Sequence, residues 1–302
     1  LNVTGGGIRE ARMIVDAHAH LETPIHGVTP DPGRRRMTRL LMWGYEIMGF
    51  RNPLWRGEPP GPARALIALE NQLRLSMGSR ENLLRYMDRN GIERSVVLPI
   101  APFSTSREYL ESCAGEPRLI PFASACPSPG WERELGEAME RGCRGLKIHP
   151  ILQRIAPEDR FYFDLLEEFA PHRRPVLIHA GEFDYYVVRD GYASYGDTLR
   201  YEKLIRAFPE VPFILGHMGL YHPEKALRLA ERYENVYLET SFQPLRVVRE
   251  AIWVAGAERV MFGSDWPESD PRYALRIARR AAGADEGLRE RITGGNVLAL
   301  LR

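Results

Sequence analysis

MIVDAHAHL, residues Met13–Leu21, opens on a short apolar and partly β-branched run, Met13-Ile14-Val15, that suits a buried strand. It then places Asp16, His18 and His20 at every second position. Side chains alternate along a strand, so these three are expected on one face, with successive same-face Cα atoms roughly 6.5 Å apart. Two imidazoles at that separation can converge on one metal ion at about 2.0–2.1 Å each. The same pair could also be two solvated histidines at a loop edge, and an isolated H-x-H does not choose between the two. The choice depends on what the chain places at the ends of its other strands.

Outward from this stretch, the pattern is regular from Ser79 onward. Ser79 is expected to cap a helix over Arg80–Asn90, and Gly91 sits where a helix-terminating glycine belongs. Apolar strands are expected at Ser95–Ile100, Leu119–Ala123, Gly145–His149, Pro175–His179, Pro212–Leu215, Val236–Glu239 and Val260–Phe262. Helical patterns separate them, at Ser106–Cys113, Trp131–Arg141, Phe161–Phe169, Leu199–Phe208, Glu224–Tyr233 and Leu245–Ala255. Arg272–Ala281 and Gly287–Leu301 follow the last strand. With the first strand this makes eight β-then-α repeats, which implies an α/β fold with a parallel sheet closed into a (β/α)8 TIM barrel. An open doubly wound sheet is the alternative, but no Gly-rich phosphate loop follows the first strand.

The 302 residues are read as a single barrel domain from residue 13 to 302, with residues 1–12 a disordered leader and Met13 the natural start. The stretch Glu22–Ser79 is a long, Pro-rich excursion after the first strand, of a length usual for a lid or binding loop. Its Trp43, Tyr45, Phe50 and Trp55 could line a pocket or anchor the excursion to the barrel. Lys plus Arg (41) nearly balances Asp plus Glu (40), so no global field recruits nucleic acid or an anionic membrane. No apolar run reaches the length of a membrane span. Three cysteines without paired spacing favour reduced thiols in a cytoplasmic protein.

In such barrels the chemistry sits at the C-terminal ends of the strands. Those ends carry Asp16, His18 and His20, then Lys147 and His149, then His179, His217, Glu239 and Asp265. Five of the eight histidines therefore fall at strand ends, which random scatter does not produce. The aromatic stretch Glu182–Tyr195 follows the fifth strand. Its Tyr185 and Tyr186 offer flat faces with hydroxyl donors to a small cyclic substrate, and Arg189 could pair with a carboxylate. Packing on a neighbouring subunit is the equal alternative. Trp266, beside Asp265, is expected in the pocket wall.

The ordered motifs DAHAH, GLKIHP, LIHAGE, LGHMG and FGSDWP, with GGNVLALL near the end, resemble the amidohydrolase superfamily. The similarity is to the amidohydrolase-related branch that includes aminocarboxymuconate-semialdehyde decarboxylase and pyrone dicarboxylate lactonase. The resemblance implies a divalent metal, zinc first and Mn²⁺, Fe²⁺ or Co²⁺ as alternatives, held by His18, His20, His179 and Asp265. It implies Asp265 and His217 as the catalytic pair, the first taking a proton from water whose pKa the metal lowers to about 7. Lys147 is either a carboxylated bridge to a second ion or a contact for an anionic substrate, with one metal favoured. The expected activity is hydrolysis of a small lactone-like or carboxylate-bearing substrate. Non-oxidative decarboxylation on the same site is the alternative. A TatD-like nuclease ranks lower, because it expects a glutamate where Lys147 stands, and a non-catalytic metal-binding barrel ranks lower too. A homodimer is a further expectation.

Overall fold

The computed structural model describes residues 13–21, 77–183 and 191–302, with positions 36, 40 and 74. The expected leader, most of the Glu22–Ser79 excursion, and Tyr185, Tyr186 and Arg189 lie outside the described residues.

Eight strands run in chain order: β1 (Val15–Ala19), β2 (Arg94–Val97), β3 (Leu119–Pro121), β4 (Leu146–Ile148), β5 (Val176–His179), β6 (Phe213–Gly216), β7 (Val236–Glu239) and β8 (Val260–Met261). The helices between them are α1 (Arg80–Asn90), α2 (Ser106–Cys113), α3 (Trp131–Glu140), the short α4 (Pro150–Gln153), α5 (Arg160–Phe169), α6 (Glu202–Ala207), α7 (Pro223–Arg232) and α8 (Leu245–Ala255). After β8 come α9 (Pro271–Ala282), α10 (Glu286–Glu290), a π-helical turn over Arg291–Gly295, and α11 (Asn296–Leu300).

All pairings are parallel and form two arcs, β1-β2-β3 and β4-β5-β6-β7-β8. Backbone hydrogen bonds join the arcs at both seams. Ala123 N donates to Gly145 O at 2.8 Å and Lys147 N to Ala123 O at 2.7 Å. On the other side Ala17 N donates to Phe262 O at 3.0 Å and Asp265 N to His18 O at 2.7 Å. The sheet therefore closes, and the fold is a (β/α)8 barrel.

Strand alternation sorts the side chains into two layers. Val96, Leu98, Phe122, Leu177, Ile214 and Met261 fill the barrel. Their neighbours in sequence, such as Val97, Ile178, Leu215 and Val260, pack outward under the helices. β2 ends at Val97 rather than Ile100, because Pro99 has no N–H to continue the ladder. α1 is capped as its sequence requires. Ser79 Oγ accepts from Asn82 N, and Gly91 takes the left-handed conformation at φ 66°.

The chain's last segment is less regular than its helical pattern implies, and Gly294 gives the reason. A Cβ on Gly294 would fall 1.9 Å from Met13 O, so this turn lies directly on the entry to β1. Asn296 Nδ2 then donates to Ala257 O and Val260 O, both at 2.7 Å, and pins the start of β8. Gly294→Ala is expected to destabilise the fold by about 1–3 kcal/mol through overpacking. A thermal midpoint equal to that of the parent protein would contradict this close approach.

The three cysteines are free thiols. Burial pushes Cys113 and Cys143 up to about 12, and it raises the less buried Cys126 as well. Thiolate is the reactive form, so at pH 8 Cys126 is expected to alkylate well before the other two. Mass mapping after brief iodoacetamide treatment checks this order; equal labelling of all three in the folded protein is the contrary result.

Candidate metal centre

On several strands the inward face changes from apolar to polar near the C-terminal end. On β5 Leu177 fills the barrel and His179 follows it two residues later. On β7 the same step leads from Tyr237 to Glu239, and on β4 the inward residue is Lys147. β1 departs from simple alternation, because its register with β2 shifts between Asp16 and Ala19. One extra residue on the bulged strand changes the phase of its side chains. Val15 and Ala17 face the barrel interior, whereas Ala19 packs under the helices. Asp16, His18 and His20 therefore do not share one face, which corrects the expectation from spacing alone. The bulge turns the two imidazoles inward and leaves Asp16 to bond elsewhere.

His18, His20 and Asp265 bring three donor atoms into one small triangle. His18 Nε2 lies 3.2 Å from His20 Nε2 and 3.1 Å from Asp265 Oδ1, and His20 Nε2 lies 3.2 Å from the same oxygen. Atoms bound at about 2.1 Å to a common ion are about 3.0–3.4 Å apart, so the triangle has the size a divalent metal needs. The donor chemistry agrees. His20 Nδ1 lies 2.7 Å from Leu98 O, which can only accept, so Nδ1 carries the proton and Nε2 presents a lone pair. His18 Nδ1 likewise faces Glu239 Oε2 at 2.9 Å. Two lone pairs and a carboxylate oxygen, all buried and facing one another, call for a cation between them.

Glu239 holds this arrangement. Besides His18, its carboxylate accepts from His217 N at 3.1 Å, from Ser241 Oγ at 2.8 Å and from Ser241 N. This is the carboxylate–histidine support that fixes ring orientation and tautomer in metal sites. Glu239, His18 and His217 also form a second group of close donor atoms. There the contacts run through the Nδ1 atoms, and His217 Nδ1 bonds to Ser241 Oγ at 2.6 Å, so we read that group as support for the first. Burial pushes Glu239 up to about 8 against the hydrogen bonds it accepts, and a nearby cation would bring it down again.

His217 lies within this network, stacked on His18 with ring centroids 4.8 Å apart and Nδ1 3.9 Å from Asp265 Oδ2. Burial lowers it to about 4, so it is neutral at pH 7. Burial alone would raise Asp265, but His217, the hydrogen bond with His20, and Lys147 outweigh it, so the carboxyl titrates below its usual range. Both residues have left-handed backbones, at φ 58° and 55°. Such strain costs about 1–3 kcal/mol per residue and persists only where neighbours enforce it. Here Gln243 Nε2 donates to His217 O and Leu220 O, and Asp265 N donates to His18 O.

Asp16 fastens the first and last strands together. Its Oδ1 accepts from His18 N at 3.0 Å and Ser264 N at 2.8 Å, and its Oδ2 accepts from Ser264 Oγ. The backbone that carries His18 is thereby tied to the backbone that carries Asp265. Lys147 is fully buried with Nζ 3.4 Å from His18 Nε2. Burial lowers it to about 8 against the pull of Asp265 and Glu239.

Not every expected residue joins the triangle. The His179 ring is in the same mouth, 5.0 Å from that of His217, but its Nε2 lies 3.1 Å from Gly181 O. It also stacks on His149 at 4.0 Å, and His149 Nδ1 accepts from Leu152 N at 3.3 Å and caps α4. Trp266 does not line the mouth. It is fully buried in the helix-facing core, 4.1 Å from the ring of Tyr86 on α1. Its cis bond to Pro267 belongs to the turn that follows Asp265. Ser241 and Gln243 had no signal of their own in the sequence, and Ser264 entered only as part of FGSDWP; each acts by bonding a residue that did.

A closed barrel with a buried His-His-Asp centre at the strand ends defines a metal-dependent (β/α)8 enzyme. The chain belongs to the amidohydrolase family, whose model, described as Amidohydrolase, matches residues 15–302. By sequence, no protein of curated function matches it. Among solved structures, 5-carboxyvanillate decarboxylase from Sphingomonas paucimobilis is similar at 18% identity, with TM-score 0.65, covering 96% of this chain and 99% of its own. A dihydroxybenzoic acid decarboxylase from Polaromonas sp. JS666, with bound manganese and the inhibitor 2-nitroresorcinol, is similar at 19% identity, TM-score 0.63, covering 96% and 97%. A probable 2-pyrone-4,6-dicarboxylic acid hydrolase from Acinetobacter baumannii, with citric acid bound, gives 15% identity, TM-score 0.55, and 74% and 89% coverage. At these identities the likeness is one of fold. Among the described residues, no helix is long and apolar enough to cross a membrane.

Proposed function

We propose that the protein is a divalent-metal-dependent enzyme that removes the carboxyl group from a small cyclic or aromatic carboxylate without oxidation. The metal part of this reading rests on the converging Nε2 atoms of His18 and His20 and the Oδ1 of Asp265. His179 is the further imidazole in reach of the site, and we assign it as a fourth ligand. Imidazole with carboxylate suits Mn²⁺ as well as Zn²⁺, and the manganese in the Polaromonas decarboxylase favours testing both.

The bound ion would supply charge to hold the substrate and to stabilise the electron pair released at carbon. The chain's own residues supply the rest. Lys147, fully buried at the strand ends with Nζ 3.4 Å from His18 Nε2, is placed to meet the substrate carboxylate. Asp265 shares Oδ1 with the two histidines and keeps Oδ2 for proton transfer. Asp265, ionised at rest, first takes up a proton from solvent. The carbon–carbon bond then breaks with its electron pair left on the ring carbon, which takes that proton from Asp265 as CO2 leaves. Asp265 ends ionised as it began, and His217 orients the reacting group beside it.

The preference for decarboxylation over hydrolysis rests on the extent of the match. The decarboxylases are covered almost end to end, whereas the pyrone hydrolase leaves a quarter of this chain unmatched. Hydrolysis of a lactone-like substrate is the second reading, favoured by the ionised Asp265, which suits a base that takes a proton from water. Assay of Mn²⁺- and Zn²⁺-loaded protein against hydroxybenzoate-type carboxylates and a lactone panel separates the two. Metal-dependent CO2 release supports the first reading, and lactone opening without CO2 release replaces it with the second.

A further inference from the structure

A second charged cavity lies in the helical layer, away from the metal centre. It is an open groove of ≈ 620 Å³ lined by the C-terminal end of α1, the outer face of α9 and Arg289 of α10. Six arginines line it: Arg89, Arg272, Arg276, Arg279, Arg280 and Arg289. Four of these recur on α9 at i, i+4, i+7 and i+8, which is one helical face, while Ala274, Ile277 and Ala278 pack inward.

The stripe is not neutralised in the way the other surface helices are. On α2, α3, α5 and α8 an exposed arginine meets a carboxylate four residues later, in Arg107–Glu111, Arg133–Glu137, Arg160–Asp164 and Arg246–Glu250. On α9 the residue four after Arg272 is Arg276, and the residue four after Arg276 is Arg280. Like charges at this spacing destabilise a helix. Arg272 pairs with Asp270 at 2.6 Å, but among the described residues Arg89, Arg276, Arg279 and Arg280 have no carboxylate at ion-pair distance. In the wall, Arg289 Nη2 donates to Gly283 O at 2.6 Å, while its Nε is shielded from water and has no hydrogen-bond partner. The whole chain has a formal charge of only +1, so this density is local.

We propose that the groove binds a small molecule carrying two or more phosphoryl groups. A guanidinium presents two parallel N–H donors that match phosphate oxygens, and several unpaired forks on one wall need more than one phosphoryl group to balance them. The volume falls within the range of about 300–1,000 Å³ usual for small-molecule sites. The inference does not depend on the reaction assigned to the metal centre.

Titration calorimetry of the metal-loaded protein at 150 mM salt tests it. Fructose 1,6-bisphosphate and ADP are the probes, and inorganic phosphate and citrate are the comparators. One site per chain is expected for at least one bisphosphorylated probe, at least tenfold tighter than for phosphate or citrate. The double variant Arg276→Glu, Arg280→Glu is expected to weaken it tenfold or more, with unchanged circular dichroism and thermal midpoint. The charge-matched control Arg133→Glu, Arg246→Glu, on α3 and α8, is expected to bind as the parent does. Preference for ADP over the sugar bisphosphate would identify an adjacent diphosphate as the group recognised, and the reverse order two separated phosphates. Millimolar or weaker binding of both probes, equal affinity for citrate, or equal loss in the control variant would overturn the proposal.

Discussion

Asp265→Asn is expected to lower turnover by about 10³- to 10⁴-fold, the upper range for loss of a proton-transfer group. The size follows from what the residue does at once. One oxygen completes the triangle with His18 and His20, and the other, 3.9 Å from His217 Nδ1, is free to exchange a proton. Asparagine keeps the shape but has no proton-exchanging oxygen, and its amide nitrogen can turn a donor toward two imidazole lone pairs. The barrel should remain folded, since the backbone bond from residue 265 N to His18 O is retained. Turnover of the metal-loaded variant, with metal content measured on the same sample, checks this. Activity within tenfold of the parent at equal metal content would remove Asp265 from the proton path.

The second large effect is expected at a residue whose strand-end position was visible in the sequence but whose role was not. Glu239→Gln should weaken metal binding by about 10- to 100-fold, the usual consequence of losing the group behind a ligating histidine. Both oxygens of Glu239 accept hydrogen bonds, from His18 Nδ1, His217 N, Ser241 Oγ and Ser241 N. An amide nitrogen in either place would face donors with a donor inside a fully buried site. His18 would lose the partner that holds its proton on Nδ1. Competition with a chelator of known affinity measures the change, and an unchanged affinity would mean that His18 is oriented by something else.

The two residues show what the sequence made legible and what it hid. The barrel was readable because each strand is short and apolar and each helix brings its own signals, as Ser79 and Gly91 do for α1. That His18, His20 and Asp265 meet was readable because histidines and carboxylates recur at the expected strand ends. The bulge in β1 was not, because a register shift depends on the neighbouring strand and leaves no mark in DAHAH itself. Trp266 was misplaced for a related reason. Adjacency to Asp265 in sequence says nothing about direction, and the indole packs outward on Tyr86. Ser241 and Gln243 were invisible because a hydroxyl or an amide means little until its partners, here His217 and Glu239, are beside it.

The central claim is that His18, His20 and Asp265 hold one divalent ion on which activity depends. Its most direct test is elemental mass spectrometry of the purified protein before and after chelation and reloading, with His20→Ala and His179→Ala carried alongside. One ion per chain is expected, lost in His20→Ala, reduced in His179→Ala, and recovered together with activity when Mn²⁺ or Zn²⁺ is returned to the parent. Two ions per chain would point to Lys147 as a bridge between them. No ion even after reloading, with activity unaffected by chelation, would contradict the claim.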